Sequence, residues 1–264
     1  MTFRESFALP LLFGVLSGAL AGLMGVGGGI LLIPLLVHFL RRSQHEAQGT
    51  SLAFIIVTAL VAAIPYVRHE TVPWSLVGVL AIGGVPGVMT GAALAKRTPA
   101  SKLRLWLGIA ILISAARLLF APPLESHGAP WSAPWSALLG FGIGTLAGLL
   151  GVGGGVFLVP ALVLGQGLSQ HTAQGVSLAL IVPIALVGAV SYARNGHAEK
   201  QLLPALFLGG AAGGWGGATL AHALEAPALT RFFAVFLVVV AFRMIVGARR
   251  TASMEGTASS GGTA

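Results

Sequence analysis

A run of glycines that interrupts an apolar segment occurs twice in this 264-residue chain, at the same place in two related halves. Residues 21–37 (AGLMGVGGGILLIPLLV) and 147–163 (AGLLGVGGGVFLVPALV) are identical at 12 of 17 positions, with an offset of 126. The same offset aligns HEAQGTSLA (45–53) with HTAQGVSLA (171–179) at 7 of 9 positions. It also pairs Tyr66 with Tyr192, Arg68 with Arg194, and Arg117 with Arg243. The chain therefore consists of two copies of one unit, and each copy breaks an apolar helix at glycines.

Charged residues make up 8% of the chain and hydrophobic residues 56%, whereas a soluble domain carries roughly 25% charged residues. The charges fall in short clusters, separated by about 15–25 residues that are almost free of charge, which is typical of several transmembrane helices. In such a chain the 38 glycines and 14 prolines indicate close helix contacts and deliberate breaks. We predict an all-α polytopic membrane protein whose outer surface contacts the lipid bilayer.

Several other classes of protein are disfavoured by composition. The chain has no cysteine, so a disulfide framework, a thiolate metal site and a catalytic thiol are excluded. The net charge of +8 comes from basic residues spread over loops, without a long basic run or interleaved aromatics, and we predict no binding to nucleic acid. The sequence contains no Walker P-loop, HExxH pair or nucleophile elbow, so neither an enzyme nor a cofactor is expected.

The duplication divides the chain into four parts. We predict a first membrane repeat over 1–121, a linker over 122–134 rich in proline and small residues, a second repeat over 135–247, and a disordered cytoplasmic tail over 248–264. The apolar run that follows Arg4 continues into the first repeat, so it is interpreted as a membrane segment and not as a cleaved signal peptide.

Each half accommodates five apolar segments, and the first two of each half are short. At about 1.5 Å per residue they reach roughly 21–26 Å, less than the ~30 Å hydrocarbon core. They therefore form either a hairpin that returns to its starting side or one long, kinked crossing. The predicted segments are 8–24, 27–40, 49–67, 73–94 and 103–121, then 135–150, 153–165, 175–193, 201–221 and 229–247.

The distribution of basic residues favours the hairpin. With the N-terminus inside, the hairpin arrangement places only Arg68 and Arg231 outside and leaves eleven basic residues in the cytoplasm, as the positive-inside rule requires. The eleven are Arg4, Arg41, Arg42, Lys96, Arg97, Lys102, Arg104, Arg194, Lys200, Arg249 and Arg250. Because five segments per half is an odd number, the second copy enters from the opposite face. We therefore predict two inverted-topology repeats with both termini cytoplasmic, an arrangement found in many secondary transporters.

The glycine runs suit an anion-binding site. The first glycine of Gly25–Gly29 can end one helix in a left-handed conformation, and Gly27, Gly28 and Gly29 then open the next half-helix. A helix start exposes unpaired N–H groups and the positive end of the helix dipole, which attract a small anion. The second copy repeats this device at Gly153, Gly154 and Gly155, so two helix N-termini are expected to converge. The alternative is that the glycines only permit close helix packing, although packing motifs space glycines by four and keep the helix intact.

A second pair of motifs follows each half-helix. Gln48 and Ser51, with their copies Gln174 and Ser177, are neutral donors that can bind anion oxygens at little desolvation cost. The alternative is that they cap a helix at the membrane interface. His45 and His171 precede these motifs and are either surface residues or titrating gate residues.

Two arginines and the placement of the acids complete the candidate site. Arg117 and Arg243 lie near segment ends, where they either snorkel to the interface or contact the anion. The chain has no aspartate, and its seven glutamates map to loops or ends. Since cation transporters usually place carboxylates within the membrane, a cation or metal is disfavoured as substrate, and no metal site is expected.

The duplicated GxxGVGGGxxxxP motif, followed each time by HxAQGxS, resembles the TauE/SafE family of membrane permeases, the sulfite exporter family. The resemblance covers nearly the whole chain, through residue 247. It implies a transporter of the bacterial inner membrane for small sulfur-containing anions such as sulfite, organosulfonates or thiosulfate. The second copy carries Val176 where the first has Thr50, so the two half-sites differ chemically.

The sequence therefore predicts a secondary transporter that holds a small anion between two opposed half-helices and works by alternating access. An anion channel, or a membrane scaffold or assembly factor in which the glycines only pack helices, stays open as an alternative. Export or uptake, the coupling ion and the oligomeric state are not predicted.

Overall fold

The computed structural model describes residues 3–95, 100–120, 131–194, 199 and 201–260. Within these residues the chain is all-helical, and its ten helices follow the predicted segments. They are α1 Phe3–Met24, α2 Gly29–Phe39, α3 Gln44–His69, α4 Trp74–Leu94, α5 Ala100–Phe120, α6 Ala133–Leu150, α7 Gly155–Gln166, α8 Gln170–Arg194, α9 Leu203–Ala223 and α10 Ala226–Ser260.

Six of the described helices contain a stretch long and apolar enough to cross a membrane: α1, α3, α4, α6, α8 and α10. Helices α2 and α7 are shorter apolar helices of 11 and 12 residues. Large apolar side chains such as Ile82, Phe120, Trp135 and Phe242 are exposed around the outside. An exposed apolar surface of this kind is what contact with lipid tails requires.

Helix boundaries differ from the predicted ones at several ends. Helix α3 begins at Gln44, before the predicted residue 49, because the Ser43 hydroxyl accepts from the Glu46 N–H and the Glu46 carboxylate accepts from the Ser43 N–H. This capping box starts α3 one turn earlier, so Gln48 and Ser51 lie inside the helix and do not cap it. Helix α10 continues to Ser260, where a disordered tail was predicted over 248–264, because residues 248–255 contain good helix formers and no helix-breaking residue. Most of the predicted linker lies outside the described residues.

The two halves interlock instead of forming separate bodies. Helix α1 packs along α9, α4 packs along α6, and α3 packs against α8 at the centre. Each of the first two contacts joins a helix of one half to a helix of the other, and the α1–α9 pair corresponds to the α6–α4 pair through the 126-residue offset. Both apolar cores accordingly draw residues from both halves.

Glycines at four-residue spacing bring the paired helices into backbone contact. Along α1, Gly14, Gly18 and Gly22 face the α9 backbone in register, and a Cβ added at Gly18 would lie 2.5 Å from Gly210 O. Along α4, Gly83, Gly87 and Gly91 face α6 in the same way. The glycines of the 83–87 and 209–217 clusters therefore form packing surfaces between helices.

The same contacts give the helix directions. Gly14 faces Leu206 and Gly22 faces Gly214, so α1 and α9 run parallel. Helix α3 also runs parallel to α9, since Gly210 faces its Phe54 and His222 faces its Tyr66. With α1 and α3 running in the same direction, the chain must reverse between Met24 and Gln44. Helix α2 is therefore the returning arm of a hairpin.

Helices α3 and α8 cross in opposite directions. Tyr66 near the end of α3 bonds to Gln174 near the start of α8, while Tyr192 near the end of α8 bonds to Gln48 near the start of α3. Below, the end of the molecule that carries the start of α3 is called the Gln44 end, and the opposite one is called the His69 end.

Candidate functional site

The two glycine runs adopt the same backbone conformation. Gly25, Gly27 and Gly28 have φ values of 68°, 82° and 79°, and their counterparts Gly151, Gly153 and Gly154 have 71°, 82° and 84°. These left-handed values are strained for residues with a Cβ. The Gly25 and Gly151 N–H groups close α1 and α6 by bonding to Ala21 O and Ala147 O, each at 2.8 Å. The glycines thus end one helix and reverse the chain, as predicted.

Each reversal opens a half-helix without a side-chain cap. Gly28 is the N-cap of α2 and Gly154 that of α7, and neither helix start receives a side-chain hydrogen bond. Gly28 O accepts from the N–H groups of Leu31 and Leu32, and Gly154 O from those of Phe157 and Leu158. The N–H groups of the residues before these lie in the first turn of each half-helix and have no partner within the helix. They point toward its N-terminal end, where the positive end of the helix dipole lies.

The two half-helix starts meet at the centre of the molecule. A Cβ added at Gly29 would lie 3.1 Å from Val152 Cα, and one added at Gly155 would lie 2.7 Å from Val26 Cα. Ile55 of α3 and Ile181 of α8 are both buried and lie where a Cβ on Gly27 or Gly153 would touch them. The geometry therefore agrees with the prediction that two helix N-termini converge. Ile55 and Ile181, one from each repeat, close the space where the two helix starts lie together.

Gln48 and Gln174 join each repeat to the hairpin of the other. Gln174 Nε2 donates to Leu23 O at 3.3 Å, and Gln48 Nε2 lies 3.4 Å from Leu150 O. These carbonyls belong to the last turns of α1 and α6, which have no partner within their own helix. Both amides thus have protein partners in this conformation, where the sequence analysis expected donors to a ligand.

Tyr66 and Tyr192 complete the same connections. The Tyr66 hydroxyl lies 2.8 Å from both Gln174 Oε1 and Gly22 O, and the Tyr192 hydroxyl lies 3.3 Å from Gln48 Oε1 and 3.2 Å from Gly148 O. In the sequence these tyrosines served only to align the repeats. Their pairing across the offset is a signal in the sequence that could have indicated this role.

The two serines of the motif differ in their contacts. Ser177 Oγ donates to Gly25 O at 2.7 Å. Ser51 Oγ is fully buried and has no hydrogen-bond partner within the described residues. It points at the start of α2, where a Cβ on Gly29 would lie 2.6 Å from it. A buried hydroxyl without a partner is costly, so the α2 half-site has a donor available that the α7 half-site has already used.

Thr50 and Val176 also distinguish the half-sites. Thr50 Oγ1 accepts from the Glu199 N–H at 3.1 Å, and Arg42 pairs with the Glu199 carboxylate at 3.2 Å. These contacts hold Glu199, which precedes α9, against α3 and Arg42 at the Gln44 end. Val176 has no hydroxyl and therefore cannot make the bond that Thr50 makes. The chemical difference predicted between the two half-sites is thus a difference in how Glu199 is held at the Gln44 end.

A cavity of about 370 Å³ runs from the hairpins to the Gln44 end. Ile30, Val152 and Val156 lie at its inner part, and His38, Gln44 and Arg243 line it near the ends of α2 and α10. Most of its remaining lining is aliphatic or aromatic, from α1, α5, α7 and α10. Arg243 therefore faces a route to the half-helix starts.

The other candidate side chains are spread over the two ends. Arg117, the counterpart of Arg243, is exposed on α5 and is not part of the cavity wall. His45 is exposed in the first turn of α3. His171 lies at the His69 end, where its Nε2–H donates to Ala221 O at 3.0 Å. The structure thus brings together the glycines, Gln48, Gln174, Ser51 and Ser177, and places His45, His171 and Arg117 away from them.

Residues 10–244 match the sequence model of the family described as "Sulfite exporter TauE/SafE". A protein named "Probable membrane transporter protein YunE" from Bacillus subtilis is 29% identical, over 91% of this chain and 97% of its own length. A "Probable membrane transporter protein" from Xylella fastidiosa is 28% identical, over 91% and 95%. One named "Probable membrane transporter protein MJ0441" from Methanocaldococcus jannaschii is 24% identical, over 73% and 75%. No solved structure matches the chain.

Proposed function

The chain belongs to the TauE/SafE sulfite exporter family and is a multi-pass membrane transporter, not an enzyme; we propose that it is a secondary transporter of small anions that works by alternating access. The observation that carries the proposal is the convergence of two uncapped half-helix starts, from α2 and α7, on one central position. Two positive dipole ends and their free N–H groups favour negative charge at that position.

Ser51 adds a donor to this position. Its buried hydroxyl has no partner within the described residues and points at the start of α2. An anion held there accepts from Ser51 Oγ and from the N–H groups of Gly29 and Gly155, the first residues of the two half-helices. No buried cation is needed, which fits the distribution of charges along the chain.

The relation of the two repeats supports alternating access. We propose that they have inverted topology, which agrees with the antiparallel crossing of α3 and α8 and with the reversal of the chain at each glycine run. The positive-inside rule then assigns the Gln44 end to the cytoplasm, because Arg41 and Arg42 precede it. Inverted repeats supply two conformations of similar energy, one open to each side.

We infer from the cavity that the conformation described here is open toward the cytoplasm. It leads from Ile30 and Val156 to Arg243 at the Gln44 end, while the buried Tyr66 and Gln174 close the path at the His69 end. Arg243 attracts anions into an otherwise apolar route. A pore open at both ends would be needed for a channel, and the closure by Ile55 and Ile181 favours a transporter.

The sulfur chemistry of the substrate is proposed from the family description alone. Sulfite, organosulfonates and thiosulfate are compact oxyanions that accept several hydrogen bonds. The inner membrane as location is proposed on the same basis, together with cytoplasmic termini from the positive-inside rule. The apolar cavity wall accommodates the carbon portion of an organosulfonate.

A flux assay in proteoliposomes tests the proposal, with sulfite, thiosulfate, sulfate, a small sulfonate and a carboxylate as substrates. We expect saturable flux of at least one sulfur oxyanion, strongly reduced in Gly28→Ala, whose added Cβ would lie 2.5 Å from Ser17 O. Gly78→Ala is the control, because nothing lies within 4 Å of its Cβ position. Non-saturating flux would indicate a channel. Absence of flux for every anion would favour a scaffold. Unchanged flux in folded Gly28→Ala protein would instead overturn the assignment of the binding site to the glycine hairpins.

A further inference from the structure

Three histidines from three helices form a cluster at the His69 end. His222 of α9 lies between the others, with its ring centroid 4.8 Å from that of His69 of α3 and 5.3 Å from that of His171 of α8. The His171 and His222 rings stack, with 14° between their planes. The 126-residue offset pairs His69 and His222 with Asn195 and Lys96, so the pseudo-equivalent residues cannot form a second cluster of three histidines.

The hydrogen bonds leave nitrogens that can take up protons. His69 Nδ1 lies 2.8 Å from Pro65 O, and His171 Nε2 lies 3.0 Å from Ala221 O. Since a carbonyl only accepts, these nitrogens carry the hydrogen in the neutral rings, which leaves His69 Nε2 and His171 Nδ1 as bases. His222 Nε2 is buried and has no hydrogen-bond partner within the described residues.

The titratable groups close to His222 come from α3 with its C-cap and from α8. They are His69, Tyr66 and Glu70 from α3 and its C-cap, and His171 from α8. Glu70 accepts from the Thr172 hydroxyl at 3.0 Å, which ties the end of α3 to the start of α8. The Glu70 carboxylate thus lies close enough to the His222 ring to interact with it electrostatically. The described part of the chain contains no group of three or more histidine, cysteine, aspartate or glutamate residues that could hold a metal ion.

The cluster contacts the first hairpin through one side chain. The ring of His222 packs on that of Tyr66, with 4.7 Å between centroids. The Tyr66 hydroxyl in turn bonds to Gly22 O, three residues before Gly25, and to Gln174. His222 is therefore in contact, through Tyr66, with the residues that close the His69 end over the half-helix starts.

We propose that His69, His171 and His222 form a proton-binding site that opens the His69 end. One bound proton is balanced by Glu70, but a second places like charges on rings about 5 Å apart, and they repel. The repulsion separates the ends of α3, α8 and α9, and Tyr66 moves with them. This inference rests on the proposed transport function, since it concerns access to the same central position, and it names protons as the coupling or regulating ligand.

The absence of native cysteine allows a direct test by labelling. Val72 is buried beside Tyr66 and Gly175, and Thr71 next to it is exposed. In liposomes, Val72→Cys and Thr71→Cys are each reacted from outside with a membrane-impermeant thiol reagent. The quantity measured is the labelling rate of Val72→Cys divided by that of Thr71→Cys, because the division removes the effect of pH on thiol reactivity itself. We expect this ratio to rise at least about threefold between pH of about 8 and about 5.5, either side of the ordinary histidine pKa.

His222→Asn should abolish the pH dependence of the ratio, and His171→Asn serves the same purpose if the first variant does not fold. His38→Asn, at the opposite end, is the matched control and should retain the full effect. The proposal would be overturned by a pH-independent ratio in protein that retains all three histidines. It would also be overturned by an unchanged pH dependence in both His222→Asn and His171→Asn. Labelling requires no substrate, so a pH-dependent ratio without anion flux would leave the proton site standing and refute the transport assignment alone.

Discussion

The Tyr66 hydroxyl lies 2.8 Å from Gln174 Oε1, across the crossing of α3 and α8. The pseudo-equivalent bond at the Gln44 end, from Tyr192 to Gln48 Oε1, is longer at 3.3 Å. Each tyrosine also reaches a carbonyl in the helix that leads into a glycine hairpin. The two ends of the molecule are therefore built from the same parts but are closed with unequal contacts.

Removing these hydroxyls should show the inequality. Tyr66→Phe removes the single hydroxyl donor that Gly22 O and Gln174 Oε1 share, and we expect a loss of stability of about 1–3 kcal/mol. Tyr192→Phe breaks bonds of 3.2 and 3.3 Å and should cost less. Thermal unfolding of both variants in the same detergent measures the difference. Equal destabilisation would show that the two ends are closed with equal strength.

The two motif serines should separate binding from stability. Ser51→Ala removes a buried hydroxyl that has no partner within the described residues, so the protein should be at least as stable as the parent while its anion affinity falls. Ser177→Ala removes the donor to Gly25 O and should lower stability by about 1 kcal/mol.

Ser136→Ala is the control for this pair, because Ser136 is also buried without a partner among the described residues but lies in the first turn of α6. Substrate-dependent thermal shifts measure affinity and stability together. Normal anion affinity in Ser51→Ala would remove Ser51 from the site.

Neighbouring glycines on α6 should respond oppositely to alanine. A Cβ at Gly144 would collide with the backbone of Gly84 on α4, whereas a Cβ at Gly142 meets nothing within 4 Å. Gly144→Ala should destabilise the protein by about 1–3 kcal/mol, and Gly142→Ala should leave stability unchanged or raise it by at most ~1 kcal/mol. Unfolding midpoints of the two variants decide this, and a harmless Gly144→Ala would contradict the close α4–α6 contact.

The two pseudo-equivalent arginines should differ in transport. Arg243 lines the cavity that leads to the half-helix starts, whereas Arg117 is exposed outside it. Arg243→Gln should raise the KM for anions presented at the Gln44 end, because the local concentration of anions falls, and should leave kcat nearly unchanged. Arg117→Gln should behave like the parent. Flux measured against substrate concentration from each side distinguishes the two variants, and an equal effect of both would exclude the cavity as the route.

Much of the fold could be predicted from the sequence because its strongest signals are local. Apolar segments place the helices, and glycine runs that no helix tolerates place the breaks at residues 25–29 and 151–155. The capping box of Ser43 and Glu46 is also a local signal, but the charged stretch around it carries no apolar pattern, so the predicted segment begins only at residue 49. The capping box moved Gln48 and Ser51 from a helix end to a buried helix face.

The partners of the site residues could not be predicted, because they depend on contacts between residues more than a hundred positions apart. Gln174 bonds to Leu23 O and Tyr66, and nothing in either local sequence names the other. The histidine cluster was missed for the same reason, since His69, His171 and His222 meet only when three helix ends converge. The difference between Ser51 and Ser177 is likewise invisible in two motifs that share the same serine.

The location of a bound anion shows directly whether the two half-helix starts form the binding site. Selenite has the shape and charge of sulfite, and the anomalous scattering of selenium marks its position in crystals of the protein. We predict a selenium peak between the starts of α2 and α7, within hydrogen-bond distance of the Gly29 N–H and of Ser51 Oγ. This peak should be lost in Ser51→Ala. A peak at Arg243 alone, with none at the glycine hairpins, would contradict this prediction.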